Sequence, residues 1–203
     1  MRLSSGKVAV IIIVAVLAID QAVKIWIKTH LALHESIPVF GNWFSIYFTE
    51  NAGMAFGLKF GGEIGKIFLT VFRIALVALI GLYISKLRKK GAPVGVMVGM
   101  ALIFAGAVGN IIDSLFYGLL FTGSAGQVAA LFPAGGGYAP FLQGKVVDML
   151  YFPIIETTFP AWVPVWGGEE FVFFRPVFNI ADSAITIGVI YLLLFKRSYF
   201  LKK

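Results

Sequence analysis

"FNIADSAITIGVIYLLLFKR", residues 178–197, is the stretch that decides the fold class of this chain. Asp182 opens an almost purely apolar run that ends at the basic pair Lys196 and Arg197. Runs of this kind cross the hydrocarbon core of a bilayer, about 30 Å thick, as helices. An ionisable side chain inside a span costs about 2.5–3.5 kcal/mol at mid-helix and by default indicates function. The stretch therefore predicts a membrane helix with a functional carboxylate near its start.

The composition of the whole chain is that of a membrane protein. Of the 203 residues, 59% are hydrophobic and only 13% are charged, whereas soluble domains carry about 25% charged residues. The absence of Cys excludes disulfides, thiolate nucleophiles and Cys-based metal sites. The net charge of +7 is spread over the ends of apolar runs. That distribution argues against nucleic-acid binding.

Four apolar runs are predicted to span the membrane, at residues 8–27, 67–86, 94–115 and 180–196. Basic residues precede the first run, join the second to the third and follow the fourth, whereas few lie in the two long connections, 28–66 and 116–179. The positive-inside rule predicts that both termini are cytoplasmic and that the long connections face outward. Because no small-x-small cleavage pattern follows the first run, we expect it to be kept as a span.

The two outward connections carry structure of their own. "NWFSIYFTENAGMAFG", residues 42–57, begins with aromatic and β-branched residues and breaks at Asn51 and Gly53, which predicts a strand and a turn. The second connection is rich in Gly, Ala and aromatic residues. Its aromatic residues are typical of a belt at the membrane–water interface.

Three of the four Asp residues approach one level of the membrane. Asp182 lies 14 residues before Lys196, and Asp20 lies 13 residues after Lys7, which places both about 20 Å from the cytoplasmic anchors. Asp113 follows Pro93 by 20 residues and is expected near the outer boundary. The three carboxylates come from three different helices, so the bundle can bring them together.

Three of the four Asp residues also have an ordinary structural interpretation, whereas function is favoured at Asp182, which has no basic neighbour in its own helix. Asp20 has Lys24 at i+4, so an ion pair within the helix explains both residues as well as a functional role does. Asp113 suits a polar contact at a helix end as well as direct chemistry. Asp148 reads as a loop acid, while Asn179 is suited to cap the helix that carries Asp182.

Carboxylate chemistry is the option that the residue types favour. His30 and His34 are spaced i, i+4, but no third ligand accompanies them, so a polar helix end at the interface is favoured over a metal site. No nucleophile motif built on Ser stands out. Two carboxylates within hydrogen-bond distance share one proton, so that one acts as base and the other as acid.

Five blocks, in order, resemble the lipoprotein signal peptidases (signal peptidase II), a family of bacterial membrane aspartyl proteases. They are "DQAVKIWI" from Asp20, "TENAGMAFG" from Thr49, "GNIIDS" from Gly109, "GKVVDML" from Gly144 and "FNIADSAITIG" from Phe178. The resemblance implies an all-α membrane bundle of four transmembrane helices, with a small extracytoplasmic β-cradle and a short periplasmic helix in the first outward connection. It also implies a single integral membrane peptidase domain over residues 1–203.

The resemblance also implies the roles of individual residues. Asp148 and Asp182 match the family's catalytic pair, and Asp148 owes its candidacy to this match alone. The positions implied to bind substrate or support the pair are Asp20, Lys24, Asn51, Gly53, Asn110, Asp113 and Asn179. No metal or organic cofactor is implied.

The family's substrate and location are implied as well. The expected substrate is a prolipoprotein, cut on the N-terminal side of a Cys that carries a diacylglyceryl group. The resemblance predicts a multi-pass protein of the bacterial inner membrane, with its active site near the periplasmic face. Membrane lipids are expected partners, nucleic acid is not, and a monomer is expected.

Two features depart from the family pattern, and two other functions stay open. Ser114 stands where many members have Arg, so any anchoring by that Arg has to come from Arg175 or Lys145, or is absent. The stretches 119–141 and 151–175 are longer than in compact members. A small proton- or ion-coupled transporter would use carboxylates along a pathway but expects polar residues continuing inward. A non-enzymatic assembly subunit would use the Asp residues only to pair helices.

Overall fold

A computed structural model describes residues 3–52, 62–173 and 175–201 of the chain. Four helices in it are long and apolar enough to cross a membrane, with 26, 26, 27 and 22 residues, which confirms the predicted bundle. Their regular parts are α1 (Ser5–His30), α2 (Gly62–Lys89), α3 (Val94–Ile112) and α5 (Ile180–Tyr191). A π-helical turn, Asp113–Tyr117, and α4 (Gly118–Leu120) prolong α3, and a second π-helical turn, Leu192–Lys196, and α6 (Arg197–Leu201) prolong α5.

The helix α3 is the centre of the bundle because small residues let its neighbours approach closely. A Cβ on Gly106 would overlap the carbonyl oxygen of Ala181 in α5. One on Gly188 of α5 would lie 2.8 Å from the carbonyl oxygen of Gly99. A Cβ on Gly109 would lie 2.8 Å from a carboxylate oxygen of Asp20 in α1. The contacts at Gly106 and Gly109 bring the first turn of α5, the middle of α1 and the end of α3 together.

Two apolar cores lie at opposite ends of the bundle. The inner core joins α1, α2, α3 and the second π-helical turn, with Val96, Met97, Ala101 and Leu192 among its members. The outer core packs the end of α1 against the outward connections, through Ile27, Phe48, Phe121, Val147 and Met149. Polar and charged side chains are buried between these cores.

The outward connections form a four-stranded antiparallel sheet in the order β1-β2-β3-β6. It is the predicted extracytoplasmic cradle, but it draws on both connections, because the second supplies half of its strands. A separate hairpin pairs β4 with β5. The predicted short periplasmic helix lies outside the described residues. The strands are β1 (Ser36–Phe40), β2 (Phe44–Asn51), β3 (Val146–Tyr151), β4 (Ile155–Thr158), β5 (Glu170–Phe173) and β6 (Val177–Phe178).

The long stretch 119–141 folds back onto the outer ends of α1 and α3. Ala129 donates its backbone N–H to the carbonyl of Lys28, and Leu33 donates to the carbonyl of Ser124. Farther on, Gly144 donates to the carbonyl of Ser114. A Cβ on Gly144 would overlap the carbonyl oxygen of Asp113, so only glycine allows this approach. The connection therefore sets where β3 begins.

Candidate active site

The N-terminus of α5 positions Asp182 through a capping box. Asn179 is the N-cap residue, and its side-chain oxygen accepts the backbone N–H of Asp182 at 2.8 Å. The Asp182 carboxylate in turn accepts the backbone N–H of Asn179 at 3.4 Å. This reciprocal pair satisfies two donors that a helix start leaves open. The cap predicted from the sequence is thus present, and it fixes the carboxylate at the mouth of the helix.

The strand β3 positions Asp148 beside that helix start. Asp148 pairs in register with Thr49 of β2, and the side chain of Asn51, the last residue of β2, hydrogen-bonds to its carboxylate. The backbone N–H of Val147 donates to Asp113 at 3.2 Å, which ties the strand to the end of α3. Sequence reasoning saw Asp148 as a loop acid because the pairing of β3 joins segments almost 100 residues apart.

Asn179 links the two candidate catalytic carboxylates. Its amide nitrogen donates to Asp148 at 2.7 Å while its backbone N–H faces Asp182. The amide nitrogen of Asn110 donates to the other oxygen of Asp182 at 2.7 Å, and the Asn110 oxygen accepts from the Asn179 amide at 3.0 Å. The two carboxylates thus belong to one hydrogen-bonded network. Asp148 is buried, at 4% exposure, and Asp182 is half-buried.

The environment of Asp148 favours a proton on its carboxyl. Burial is the largest cause, followed by the negative charge of Asp182, and together they raise the pKa of Asp148 to about 7. The charge of Lys24 and the hydrogen bonds from Asn179 and Asn51 oppose this rise. Asp182 accepts two hydrogen bonds and lies at the positive end of a helix, a setting that suits a negative charge. The Asp148 carboxyl therefore keeps its proton to a higher pH than an ordinary carboxyl does.

A buried ion cluster of Asp20, Lys24 and Asp113, called here the Lys24 cluster, lies beneath the pair. Lys24 contacts Asp20 at 2.9 Å and Asp113 at 2.8 Å, and donates to the side-chain oxygen of Asn110 at 3.0 Å. All three charged side chains are fully buried. The i, i+4 ion pair predicted for Asp20 and Lys24 is present, but Lys24 is shared with a third residue from another helix.

The same cluster ties three elements to one another. Asp20 accepts the backbone N–H of Ala181, in the first turn of α5, at 2.9 Å. Gln21, which sequence reasoning missed, donates to Asp20 at 3.1 Å and to Asp113 at 3.0 Å, and accepts the Tyr117 hydroxyl at 3.1 Å. Gln21 precedes Lys24 by three residues, a spacing that brings side chains together on a helix, so a signal was present in the sequence.

A second buried ion cluster was not predicted. Glu50, next to Asn51 in β2, accepts from Lys28 and from the Ser124 hydroxyl at 3.1 Å on one oxygen, and from Lys145 at 3.0 Å on the other. Lys28 also lies over the rings of three aromatic residues, Phe48, Phe121 and Tyr138. These two lysines hold the pKa of Glu50 below its usual range in spite of burial. A signal was present, because Lys28 continues the i, i+4 series of Asp20 and Lys24.

The remaining sequence candidates lie elsewhere or outside the described residues. Gly53 is one of the residues outside them. His30 stacks on Trp26, with ring centroids 5.0 Å apart, and His34 stacks on Tyr47 at 5.9 Å. The part of the chain that the structure describes has no group of three His, Asp or Glu side chains placed to hold a metal ion.

Neither residue suggested as a replacement for the family Arg contacts the pair. Arg175 donates to the carbonyl of Glu170 in the exposed β4–β5 hairpin, and Lys145 pairs with Glu50. The Ser114 hydroxyl donates a hydrogen bond to the carbonyl of Asn110 one turn earlier, so this bond stays within one helical segment. Arg175 and Lys145 are thus tied to other segments, which favours the third alternative, that this anchoring is absent.

Comparison with known proteins identifies the family. Residues 12–197 match the family model of signal peptidase (SPase) II. The chain belongs to the signal peptidase II family. Within this family, it is 53% identical over 193 residues to the lipoprotein signal peptidase of Porphyromonas gingivalis, covering 95% of this chain and 84% of the relative.

More distant relatives agree with this signal peptidase II assignment. The lipoprotein signal peptidase of Amoebophilus asiaticus is 38% identical over 183 residues, covering 89% of this chain and 73% of the relative. A solved structure of a bacterial membrane enzyme superposes with a TM-score of 0.60 at 26% identity, covering 96% of this chain and 93% of the other. The chain is thus a bacterial membrane protease, and its fold matches an experimentally known one.

Proposed function

We propose that the chain is an aspartic endopeptidase that removes signal peptides from diacylglyceryl-modified prolipoproteins, cutting on the N-terminal side of the modified Cys. The observation that carries the aspartic assignment is the Asn179 bridge, which donates to Asp148 from its side chain and to Asp182 from its backbone. The prolipoprotein substrate is inferred from the family and from relatives that are lipoprotein signal peptidases.

The proposed reaction uses the two carboxyls as an acid and a base. The ionised Asp182 takes a proton from a water molecule, and the oxygen of that water attacks the scissile carbonyl carbon. The protonated Asp148 first hydrogen-bonds the carbonyl oxygen, and a carboxylic acid of the pair then gives its proton to the departing amine nitrogen. Cleavage of the C–N bond leaves a new carboxylate on the signal peptide and a free amine on the lipid-modified Cys.

The position of the pair suits a lipid-anchored substrate. Asp182 begins the outer part of a membrane span, and Asp148 lies on a sheet strand just outside the bundle. Acyl chains embedded in the bilayer would hold the scissile bond at this depth. With both termini cytoplasmic, as the basic flanks predict, this site faces the periplasmic side of the inner membrane. We propose a single peptidase domain that acts as a monomer without nucleic-acid partners.

The packing of the inner half disfavours a transporter. Among the described residues, the cytoplasmic ends of α1 and α3 and the end of the fourth span are filled by the apolar inner core. A coupled transporter needs ionisable or polar groups along its pathway. The Lys24 cluster and the carboxylate pair instead lie on the outer side of this core.

The experiment replaces each carboxylate by its amide. The full chain, with Asp148→Asn or Asp182→Asn, is assayed on a lipid-modified precursor after purification in detergent. We expect each change to lower kcat at least about 1,000-fold, because removing a member of a catalytic pair removes the acid or the base. Glu169→Gln, the same kind of change at an exposed acid of the hairpin, is the matched control.

The assay also separates catalysis from stability. Thermal unfolding is followed for all variants, since burying an amide in place of a carboxyl also changes stability. A folded Asp182→Asn protein with wild-type turnover would overturn the aspartic assignment. Equal loss in Asp182→Asn and Glu169→Gln would attribute the effect to folding and would count against the pair as well.

A further inference from the structure

The helix α2 presents a polar stripe to the bundle on an otherwise lipid-facing surface. Among its partly or fully buried residues, a series recurs at helical spacing, at positions 66, 70, 73, 77, 80 and 84. The inner three, Val77, Ile80 and Ile84, are apolar, and Ile80 and Ile84 pack on the inner core. The outer three are Lys66, Thr70 and Arg73. Going outward along this face of α2, the polar residues therefore begin at Arg73, at the height where the inner core ends.

The height of Arg73 follows from two independent counts. It lies 13 residues before Lys86, about 20 Å from the cytoplasmic anchor, as Asp20 and Asp182 do from theirs. A Cβ on Gly81 of α2 would lie 3.2 Å from the ring of Phe104 in α3. Eight residues outward on both antiparallel helices, Arg73 is level with residue 112, between Asn110 and Asp113.

Contacts farther out fix which way this face of α2 is turned. The Thr70 hydroxyl lies 3.0 Å from the carbonyl oxygen of Lys66 in its own helix and 3.2 Å from that of Leu142. The Lys66 ammonium donates to the carbonyl of Gln143 at 2.6 Å. The carbonyls of Leu142 and Gln143 belong to the segment that leads into β3. Arg73 lies one turn inward on the same face, and its guanidinium interacts electrostatically with Asp182 and Asp148.

The other cations near the carboxylate pair are already engaged by other groups, so neutralising the pair requires a further cation. Lys24 contacts the carboxylates of both Asp20 and Asp113, so its cluster carries a net negative charge when ionised. The catalytic pair adds a further negative charge in the same low-dielectric layer. At the outer end, Lys66 faces a backbone carbonyl, and Lys28 and Lys145 face Glu50. Lys24 also acts on Asp148, but its single charge is shared with the two carboxylates that it contacts, and Arg73 is placed to balance the charge of the pair itself.

We propose that Arg73 is a positioning residue of the active site, which stabilises the negative charge of the carboxylate pair from its place on α2. It is not a group that reacts with the substrate. It keeps one carboxylate of the pair ionised in a layer where an uncompensated charge is costly. This inference rests on the aspartic function proposed above. It assigns the pair a cationic partner from α2, a helix that none of the five sequence blocks includes.

The test uses the absence of Cys from the chain. The variant Arg73→Cys is folded and purified, and one sample is then treated with aminoethyl methanethiosulfonate and another with methyl methanethiosulfonate. The first reagent restores a cation at this position and the second does not, in the same folded protein. The profile of kcat/KM against pH on the lipid-modified precursor is the readout, and Arg73→Lys and Arg73→Gln are measured beside it.

A cation near a carboxylate favours its ionised form, so loss of the cation favours the protonated form of the pair. We therefore expect the whole profile of Arg73→Gln and of the methyl-treated protein to move to higher pH by about 1 unit. Arg73→Lys and the aminoethyl-treated protein keep the wild-type profile. Arg88→Gln, the same loss of charge at the cytoplasmic end of α2, is the matched control.

The outcomes distinguish this inference from the proposed function. If Asp148→Asn and Asp182→Asn abolish cleavage but the charged and neutral Cys adducts share one profile, the role of Arg73 is overturned and the aspartic function stands. A shift common to Arg73→Gln and Arg88→Gln also overturns it. If the two Asn variants are fully active, the proposed function itself fails.

Discussion

At the scale of single residues, the buried charged side chains of the described residues have hydrogen-bond partners or counter-ions. Lys24 has three oxygen partners, which match the three hydrogens of its ammonium group. A buried ion pair adds little stability over an apolar replacement, but removal of one partner is strongly destabilising. The Lys24 cluster is therefore better understood as a device that fixes α1, α3 and α5 in one arrangement than as a source of stability.

The pH dependence of cleavage is predicted by the pKa of Asp148. Burial and the charge of Asp182 raise this pKa to about 7, and the reaction needs the proton on the pair. We expect kcat to fall as the pH rises through about 7 and then to drop about tenfold per further unit. The measurement is the pH–rate profile of the purified enzyme, with unfolding followed at each pH. A rate that stays flat up to pH 9 in a folded protein would contradict the assignment.

At the scale of elements, close helix packing sets the geometry of the site. The contact of Gly106 with the Ala181 carbonyl lies one turn below Asn110 and at the first turn of α5, where Asp182 sits. Any side chain at Gly106 pushes these helices apart. The separation would stretch the hydrogen bond from Asn110 to Asp182.

We predict that Gly106→Val lowers both thermal stability and turnover. The added side chain overlaps backbone, which cannot move as a flexible side chain can, and overpacking costs about 1–3 kcal/mol or more. Thermal unfolding and precursor cleavage are the measurements. Gly123→Ala serves as control, because a Cβ on Gly123 meets no atom within 4 Å. Equal behaviour of the two variants would show that α3 and α5 tolerate separation.

The four-stranded sheet of the outward connections also helps to position the site. β2 is held at its end by the ion cluster of Glu50, whose two lysines come from α1 and from the segment before β3. That cluster stands next to Asn51, which contacts Asp148. The long stretch 119–141, which supplies Ser124 and Tyr138 to the cluster, thus supports the strand that carries Asp148.

At the scale of the whole molecule, polarity is arranged in layers. The inner half is an apolar core, the next level carries the buried Asp20, Lys24, Asp113 and Asp148, and a sheet covers the outer side. Such a layer suits chemistry on a substrate that stays in the membrane. It also makes the orientation of the chain decisive for function.

The orientation is predicted to place both termini in the cytoplasm. Basic residues flank the inner ends of all four spans, and such flanks are retained on the cytoplasmic side. This orientation is tested with reporter fusions that are active only in the cytoplasm or only in the periplasm. They are attached after Lys203 and within the β4–β5 hairpin. We expect a cytoplasmic signal from the terminus and a periplasmic one from the hairpin. The reverse pattern would contradict the placement of the active site.

The sequence alone determined the number of spans, the level of Asp20, Asp113 and Asp182, and the cap at Asn179. These features depend on runs of neighbouring residues, on the 1.5 Å rise of a helix and on hydrogen bonds within one turn, so local reading is enough. The ordered blocks added the family and, through it, the candidacy of Asp148.

Only the tertiary structure decided the pairing of Asp148 with Asn179, the sharing of Lys24 between two helices, the burial of Glu50 and the inward face that carries Arg73. Each of these depends on contacts between segments about 20 to more than 100 residues apart. Whether these contacts form depends on strand register, on how the helices are rotated about their axes and on the exclusion of water. No local sequence pattern specifies these. The carboxylate that the sequence placed in a loop is therefore, in the folded chain, the buried member of the candidate pair.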